Sequence, residues 1–238
     1  MSVDFTKAWE ILVRNFSQFQ YGIEITVIYA IVGTVTGLLI GLLIGAIRVI
    51  EIDEYDNTGV KVLKKFLKVL TDFYLWVFRG TPMLVQAMFL YYLLKPILGW
   101  TGLTAGLVII SVNTGAYMAE IIRSGIQSID IGQSEAAKSI GLSTPQTFKK
   151  IILPQAIKNS FPSIGNQLII NIKDSSMLNV ISVTELYFQS TSVAGSTYQY
   201  TETFFVAMLI YLFLTTIASL IMNYFEKRMY KGYIWEGH

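Results

Sequence analysis

Ile25 to Ile47 is a run of 23 residues without a charge, closed by Glu24 on one side and Arg48 on the other. At 1.5 Å of rise per residue a helix of that length crosses a hydrocarbon core of roughly 30 Å. Two more runs have the same property, one from Pro96 to Ala119 and one from Thr203 to Phe225. Phe73 to Leu94 is apolar except for Arg79, and Pro162 to Tyr187 holds Lys173, Asp174 and Glu185 in otherwise membrane-like sequence. The expectation is an all-α integral membrane protein with five transmembrane helices, at about 25–47, 73–94, 97–121, 162–187 and 203–225. Composition agrees: 53% of the 238 residues are apolar and 14% charged, against roughly 25% charged in an ordinary soluble domain.

What the chain lacks narrows the chemistry. A net charge of +2 gives no basic excess to neutralise phosphates, so no nucleic-acid partner is expected. Cysteine is absent and the one histidine is His238, so no disulfide, cysteine nucleophile or zinc site of the usual ligand types is expected. Residues 1 to 21 hold neither the short apolar stretch nor the cleavage site of a signal peptide, so the first span is expected to be retained. Trp9, Leu12, Val13, Phe16 and Phe19 or Gln20 share one helical face, which reads residues 1–20 as an amphipathic segment. It lies either on the membrane surface or against the protein.

The cations set the orientation. The loops after the first, third and fifth spans hold 13 Lys and Arg and the other side holds 3. The positive-inside rule then puts the N-terminus outside and the C-terminus, with a tail 229–238, in the cytoplasm. The longest cytoplasmic connection, 123–161, has its own pattern. Glu135-Ala136-Ala137-Lys138-Ser139-Ile140 is rich in helix formers and stopped by Gly141. A second short helix is expected with Thr144 as N-cap and Pro145 at its first position, running to Leu153 before Pro154. By composition alone this segment could equally be a solvated linker.

Glu135-Ala136-Ala137, Gly141 and the later Ile152-Leu153-Pro154 resemble the EAA loop of permease subunits of ABC importers, spacing included. Phe78-Arg79-Gly80-Thr81-Pro82, Val85-Gln86, Gly115 to Ile121, Arg123 to Ile126, Gly132-Gln133 and Lys173 to Leu178 resemble the polar amino acid branch of that family. The fourth-span motif departs from the family's more usual Lys-x-Thr-Ser-Leu at Ser175 and Met177. The resemblance implies the type I importer permease architecture, multi-pass in a prokaryotic plasma membrane. It further implies a second permease chain, identical or different, two cytoplasmic ATP-binding subunits, an extracytoplasmic solute-binding protein and an amino acid substrate. The chain has no Gly-x4-Gly-Lys-Ser/Thr loop, so it would bind no cofactor itself and ATP-Mg would sit on the partner ATPase. Glu135, Ala136, Ala137, Gly141, Leu153 and Pro154 would couple to that ATPase.

Charges within a span cost about 2.5 to 3.5 kcal/mol each on insertion scales, so they are kept for pairing, water contact or function. Lys173, near mid-membrane, needs an anion, and Asp174 points elsewhere round the helix. With Ser175 they are candidates for substrate binding, as are Arg79, Thr81 and Gln86, where Pro82 frees the carbonyl four residues back and a break in the helix is expected. A structural network without ligand is the competing reading for Lys173, and snorkelling to the interface for Arg79. Glu185 and Glu202, flanking an external loop, read as solvated acids. A hydrolase using Ser175 and Lys173 would need groups about 200° apart on one helix to meet, so no catalytic residue is expected. A secondary carrier or channel is the alternative, although neither needs a docking loop. The glycines at 33, 37, 41 and 45 form a stripe that predicts a helix-packing face without naming its partner.

Overall fold

The computed structural model describes residues 3–49 and 56–230. From residue 231 onward the expected tail lies outside the described residues. Helix α1, Phe5–Arg14, is capped by the Asp4 carboxylate, which accepts from the backbone N–H of Thr6 and Lys7, and Asn15 ends it by donating to the Ile11 carbonyl at 2.9 Å. α2, Phe16–Val49, follows almost at once. The first span's helix therefore starts nine residues before Ile25, and the amphipathic segment ends at Arg14 instead of residue 20. α1 packs on the protein through a face other than that of Trp9 and Val13. Ala8 and Ile11 are buried in a cluster with Phe19, Leu186 and Val206, while Trp9, Val13 and Phe16 face outward.

The glycine stripe of α2 meets α5, Gly102–Gln127. Added Cβ atoms at Gly33, Gly37, Gly41 and Gly45 would press on Ile110, Thr114, Met118 and Ile122 respectively. Both series advance by four, so the two helices run parallel in a close backbone approach, as the first and third of alternating crossings must. The chain returns between them through α3, Thr58–Gly80, and α4, Met83–Leu98. The span 73–94 is broken at Pro82, where the two axes are bent by 114° around Thr81 and Pro82. Pro82 supplies no N–H and Thr81 is held extended, as the residue before a proline prefers.

The long connection is shorter than 123–161, because α5 continues to Gln127 and α8, Leu153–Asp174, begins early. α6, Ile131–Ser139, opens on the Asp130 carboxylate, which accepts from the Gly132 N–H at 2.7 Å. It closes on Gly141 at φ 84°, with Leu142 N–H donating to the Ala137 carbonyl, a turn that glycine takes without steric cost. α7, Thr144–Thr147, is capped by Ser143, not Thr144, through a reciprocal bond in which Ser143 N–H donates to Gln146 Oε1 at 2.9 Å. It does not stop at Leu153. One wide turn of π-helix, Phe148–Ile152, joins it to α8, and the five-residue spacing accommodates the donor that Pro154 lacks.

α8 lies antiparallel along α5. Ser160 Oγ donates to the Ile121 carbonyl, Thr114 Oγ1 donates to Asn171 Oδ1, and further on the Ile181 carbonyl lies against Gly102. The expected fourth span 162–187 is thus realised differently, as α8 plus a 3-10 helix, Ser175–Ile181, ending at left-handed Ser182. α9, Leu186–Thr197, packs near Gly22 of α2, and α10, Tyr200–Tyr230, brings the chain back along α8, where Met222 meets Gly165. Among the described residues α2, α5 and α10 are each long and apolar enough to cross a membrane, and α3 and α4 together have the length and apolarity of a fourth crossing if the bent pair is counted as one span. α8 is more polar, and it is sheltered by α2, α5 and α10.

Candidate functional site

The broken helix is finished by side chains. The Phe78 carbonyl, freed by Pro82, accepts from Gln86 Nε2 at 3.1 Å and from Asn113 Nδ2 at 3.4 Å. Gln86 Nε2 also reaches Thr81 O at 2.9 Å and Thr81 Oγ1 at 2.8 Å, and its Oε1 accepts from Asn113 Nδ2 at 2.9 Å. Thr81 Oγ1 donates to the Val77 carbonyl. Gln86 is buried. Thr81 and Gln86, candidates for substrate contact, hold the break together and so fix the direction in which α4 leaves α3.

Arg79, at the end of α3, enters a charged cluster. Glu120 on α5 is the hub: Oε1 is bonded by Arg48, and Oε2 accepts from Arg123 Nε at 2.9 Å and Nη2 at 2.7 Å. Arg48 also pairs with Asp72 at 3.1 Å. Arg79 Nη1 stands 3.7 Å from Glu120 Oε1, and its guanidinium lies 5.9 Å over the Tyr117 ring. Arg79, Tyr117, Glu120 and Arg123 border a cavity of about 510 Å³ whose other walls include Ser124, Asn159, Ser163 and Gln167. Arg79 is therefore a cavity-lining cation near the α5–α6 end of the bundle. The charges most responsible for the cluster, Arg48 and Glu120, sit in sequence at the edges of apolar runs, where pairing is the expected reason for a charge.

Lys173 and Asp174 lie elsewhere, at the far end of α8. Lys173 is exposed on the chain's surface, Asp174 is half-buried, and no ion pair joins them. Ser175 is fully buried and donates to the Ile172 carbonyl at 2.9 Å, while Ser176 donates to the Lys173 carbonyl at 2.6 Å. Both hydroxyls serve the tightening of the helix into its 3-10 turn. The structure thus separates two groups of candidates: Arg79, Thr81 and Gln86 at the break, and Lys173, Asp174 and Ser175 at the α8 end. Between them Asn171, unremarked in the sequence, ties three helices: Nδ2 donates to Thr34 Oγ1 of α2 at 2.9 Å, and Oδ1 accepts from Thr114 of α5 and Gln167. Glu185 corrects its expectation outright. It is fully buried, caps α9 by accepting from Tyr187 and Phe188 N–H at 2.8 Å each, and accepts from Tyr211 Oη.

At the opposite end α6 presents Glu135 and Ala136 to solvent and turns Ala137 inward. Ile131 and Ile140 flank it, 74% and 78% exposed. Leu153 and Pro154 open α8 directly behind. Large apolar side chains held out on a short, doubly capped helix make a small surface built for contact.

Residues 58–231 match the family described as binding-protein-dependent transport system inner membrane component. The chain belongs to this family. Among its relatives, a protein named probable amino-acid permease protein YxeN of Bacillus subtilis is 37% identical over 171 residues, covering 70% of this chain and 76% of that one. A putative glutamine transport system permease protein GlnP of Rickettsia bellii is 39% identical over 165 residues, covering 68% and 76%. A solved structure described as an amino acid ABC transporter with histidines superimposes with a TM-score of 0.81 at 34% identity, over 96% of this chain and all of the other. A MetNI methionine ABC transporter in an inward-facing conformation shares the fold, with a TM-score of 0.73 at 18% identity. The chain is a membrane component of a transport system and has no catalytic role of its own.

Proposed function

We propose that this chain forms the translocation path of an ATP-driven importer for amino acids and couples that path to a separate cytoplasmic ATPase. The single observation that carries the coupling is α6: a short helix with exposed Glu135 and Ala136, between exposed Ile131 and Ile140, stopped by Gly141 at positive φ. Two apolar anchors and one carboxylate on a rigid turn suit a groove in a protein partner, where Glu135 gains a charge-assisted bond. The cargo class rests on relatives named for amino-acid and glutamine permeases. Lys173 and Asp174 offer charges for a zwitterion, Ser175 supports their backbone, and Arg79 lines the path behind the break that Thr81 and Gln86 hold.

In this reading a second permease chain, two ATP-binding subunits carrying ATP-Mg and an extracytoplasmic solute-binding protein complete the importer. The chain sits in a plasma membrane with its N-terminus outside. The test is reconstitution of the permease with the ATPase and binding protein encoded alongside it, and measurement of ATP hydrolysis against the common L-amino acids. One amino acid, or a group sharing side-chain chemistry, should stimulate hydrolysis, and Glu135→Lys or Gly141→Leu should abolish the stimulation while the chain stays inserted. No stimulation by any amino acid overturns the cargo class, and normal stimulation in both variants overturns the coupling role of α6.

A further inference from the structure

The cavity beside Arg79 is a site in its own right, apart from Lys173 and Asp174. Glu120 is saturated, with Arg48 on one oxygen and Arg123 on the other. Arg79 is not: at 3.7 Å its contact with Glu120 is too long for a hydrogen bond, it makes no other polar contact among the described residues, and it is 44% exposed. Three guanidiniums stand against the two carboxylates of Glu120 and Asp72, so the cluster keeps a positive surplus, and Arg79 holds its open end.

The facing wall is complementary. Among the described residues Ser124 and Ser163 make no hydrogen bond through their hydroxyls, Asn159 uses its Nδ2 on Ser128 Oγ at 3.0 Å, and Gln167 uses its Nε2 on Asn171. The two amide oxygens and two hydroxyls have no bonded partner among the described residues, and all four residues line the cavity from α5 and α8. An open guanidinium on one wall and neutral acceptors on the other fit a carboxylate and an ammonium carried by one small molecule. A volume of about 510 Å³ holds a single amino acid together with water.

We infer that the Arg79 cavity is a second, inner binding station for an amino acid, which takes the carboxylate on Arg79 and the ammonium on the acceptors of Ser124, Asn159, Ser163 and Gln167. It rests on the reading that the cargo is an amino acid. Gln167 precedes Lys173 by six residues, or about 9 Å along α8, so a solute leaving the outer charges reaches the inner station in one short step. Its fork of donors serves a carboxylate better than a lysine would, because both oxygens are bound at once.

The permease with its ATPase, without the solute-binding protein, is placed in liposomes with the ATPase outward, so that added solute meets the α6 side. Equilibrium binding of the radiolabelled common L-amino acids is measured, with the decarboxylated amine of each binder as competitor, such as agmatine for arginine or histamine for histidine. At least one amino acid should bind, and its amine should compete about ten-fold more weakly or worse, since a hydrogen-bonded charge contact is lost. Arg79→Gln should weaken the amino acid by a similar factor and leave the amine unchanged. Lys173→Met should leave this binding within about two-fold, which a single shared site would not. Ser163→Leu, which fills the cavity from an exposed position outside the ion network, should abolish it in a complex that still assembles. The inference is overturned if no amino acid binds from this side in a complex whose amino-acid-stimulated hydrolysis is intact, if the amine competes equally, or if Arg79→Gln and Ser163→Leu both bind normally. Loss of amino-acid stimulation in the full system is a different result, and it removes the cargo reading instead.

Discussion

Replacing Gln86 by methionine tests how the broken helix is held. Methionine keeps the length and much of the volume of glutamine and removes its donors and its carbonyl oxygen, so packing changes little. What is lost is specific: the 2.9 Å bond to Thr81 O, the 3.1 Å bond to Phe78 O, and the acceptor for Asn113. Asn113 still reaches Phe78 O at 3.4 Å, so one carbonyl keeps a weak partner and the other has none. Leaving a buried acceptor unpaired costs about 1 to 3 kcal/mol. Thr81 is exposed, so water can replace the bond to its carbonyl, and the variant should be destabilised by about 1 to 3 kcal/mol. Asn113→Ala alone, which leaves Gln86 bonded to both carbonyls, should cost about 1 kcal/mol. The assay is reversible unfolding of the purified permease in mixed micelles, with both single variants and the double. Because the pair share Phe78 O, the double should differ from the sum of the singles by more than about 0.5 kcal/mol. A Gln86→Met protein as stable as wild type, within that margin, would refute the idea that these side chains secure the bend.

Gly41→Leu should prevent assembly of α2 on α5, because even the first added carbon would stand 2.5 Å from Met118 Cβ; the readout is monodisperse yield in size-exclusion chromatography, and Gly41→Ala should show a partial loss. Asn171→Leu should destabilise the bundle by about 1 to 2 kcal/mol, in line with interhelical polar contacts in membranes, while leaving binding of ATPase subunits unchanged in co-purification. Lys149 should react with an impermeant amine reagent only after cell lysis, since it lies in the connection that bears α6; labelling of intact cells would reverse the proposed orientation.

The features legible in the sequence were those set by local composition. Apolar runs gave the crossings, Gly141 gave the end of α6, and Pro82 gave the break together with the carbonyl it would free. The groups that answer that carbonyl are half legible: Gln86 beside a proline break reads as a solute contact, because sequence cannot show that an amide four residues past the proline folds back onto the turn. Asn113 and Asn171 carry a weaker signal. An amide inside an apolar run is costly unless bonded, so each predicts a partner on another helix, although not which one. Glu185 misled for the opposite reason. At a boundary between an apolar run and a loop, a carboxylate reads as solvated, and only the fold shows that α9 turns back and places its N-terminus on that side chain. The continuous fourth span failed at Ser175, where two hydroxyls bonding backward tighten the helix, an effect that hydropathy does not register.

The exposed polar groups of α8 trace a line. Asn159, Ser163, Asn166 and Lys173 are all exposed on α8, at separations of four, three and seven residues, which keeps them on one helical face. A stripe of that polarity does not face hydrocarbon, because each group would lose its water without gaining a partner. It must meet an aqueous path or a second polar chain. The outer face of α10 offers the contrast, with Leu212 and Phe213 about as exposed and wholly apolar. Since the natural chain has no cysteine, single cysteines report on these faces without any background. In membranes, Ser163→Cys and Asn166→Cys should react with a charged, water-soluble thiol reagent, and a transported solute should slow the reaction at Ser163. Leu212→Cys and Phe213→Cys should stay unreactive until detergent is added. Equal reactivity on the two helices would mean that the α8 stripe is not a wet surface, and the path would have to be sought on a different face of the bundle.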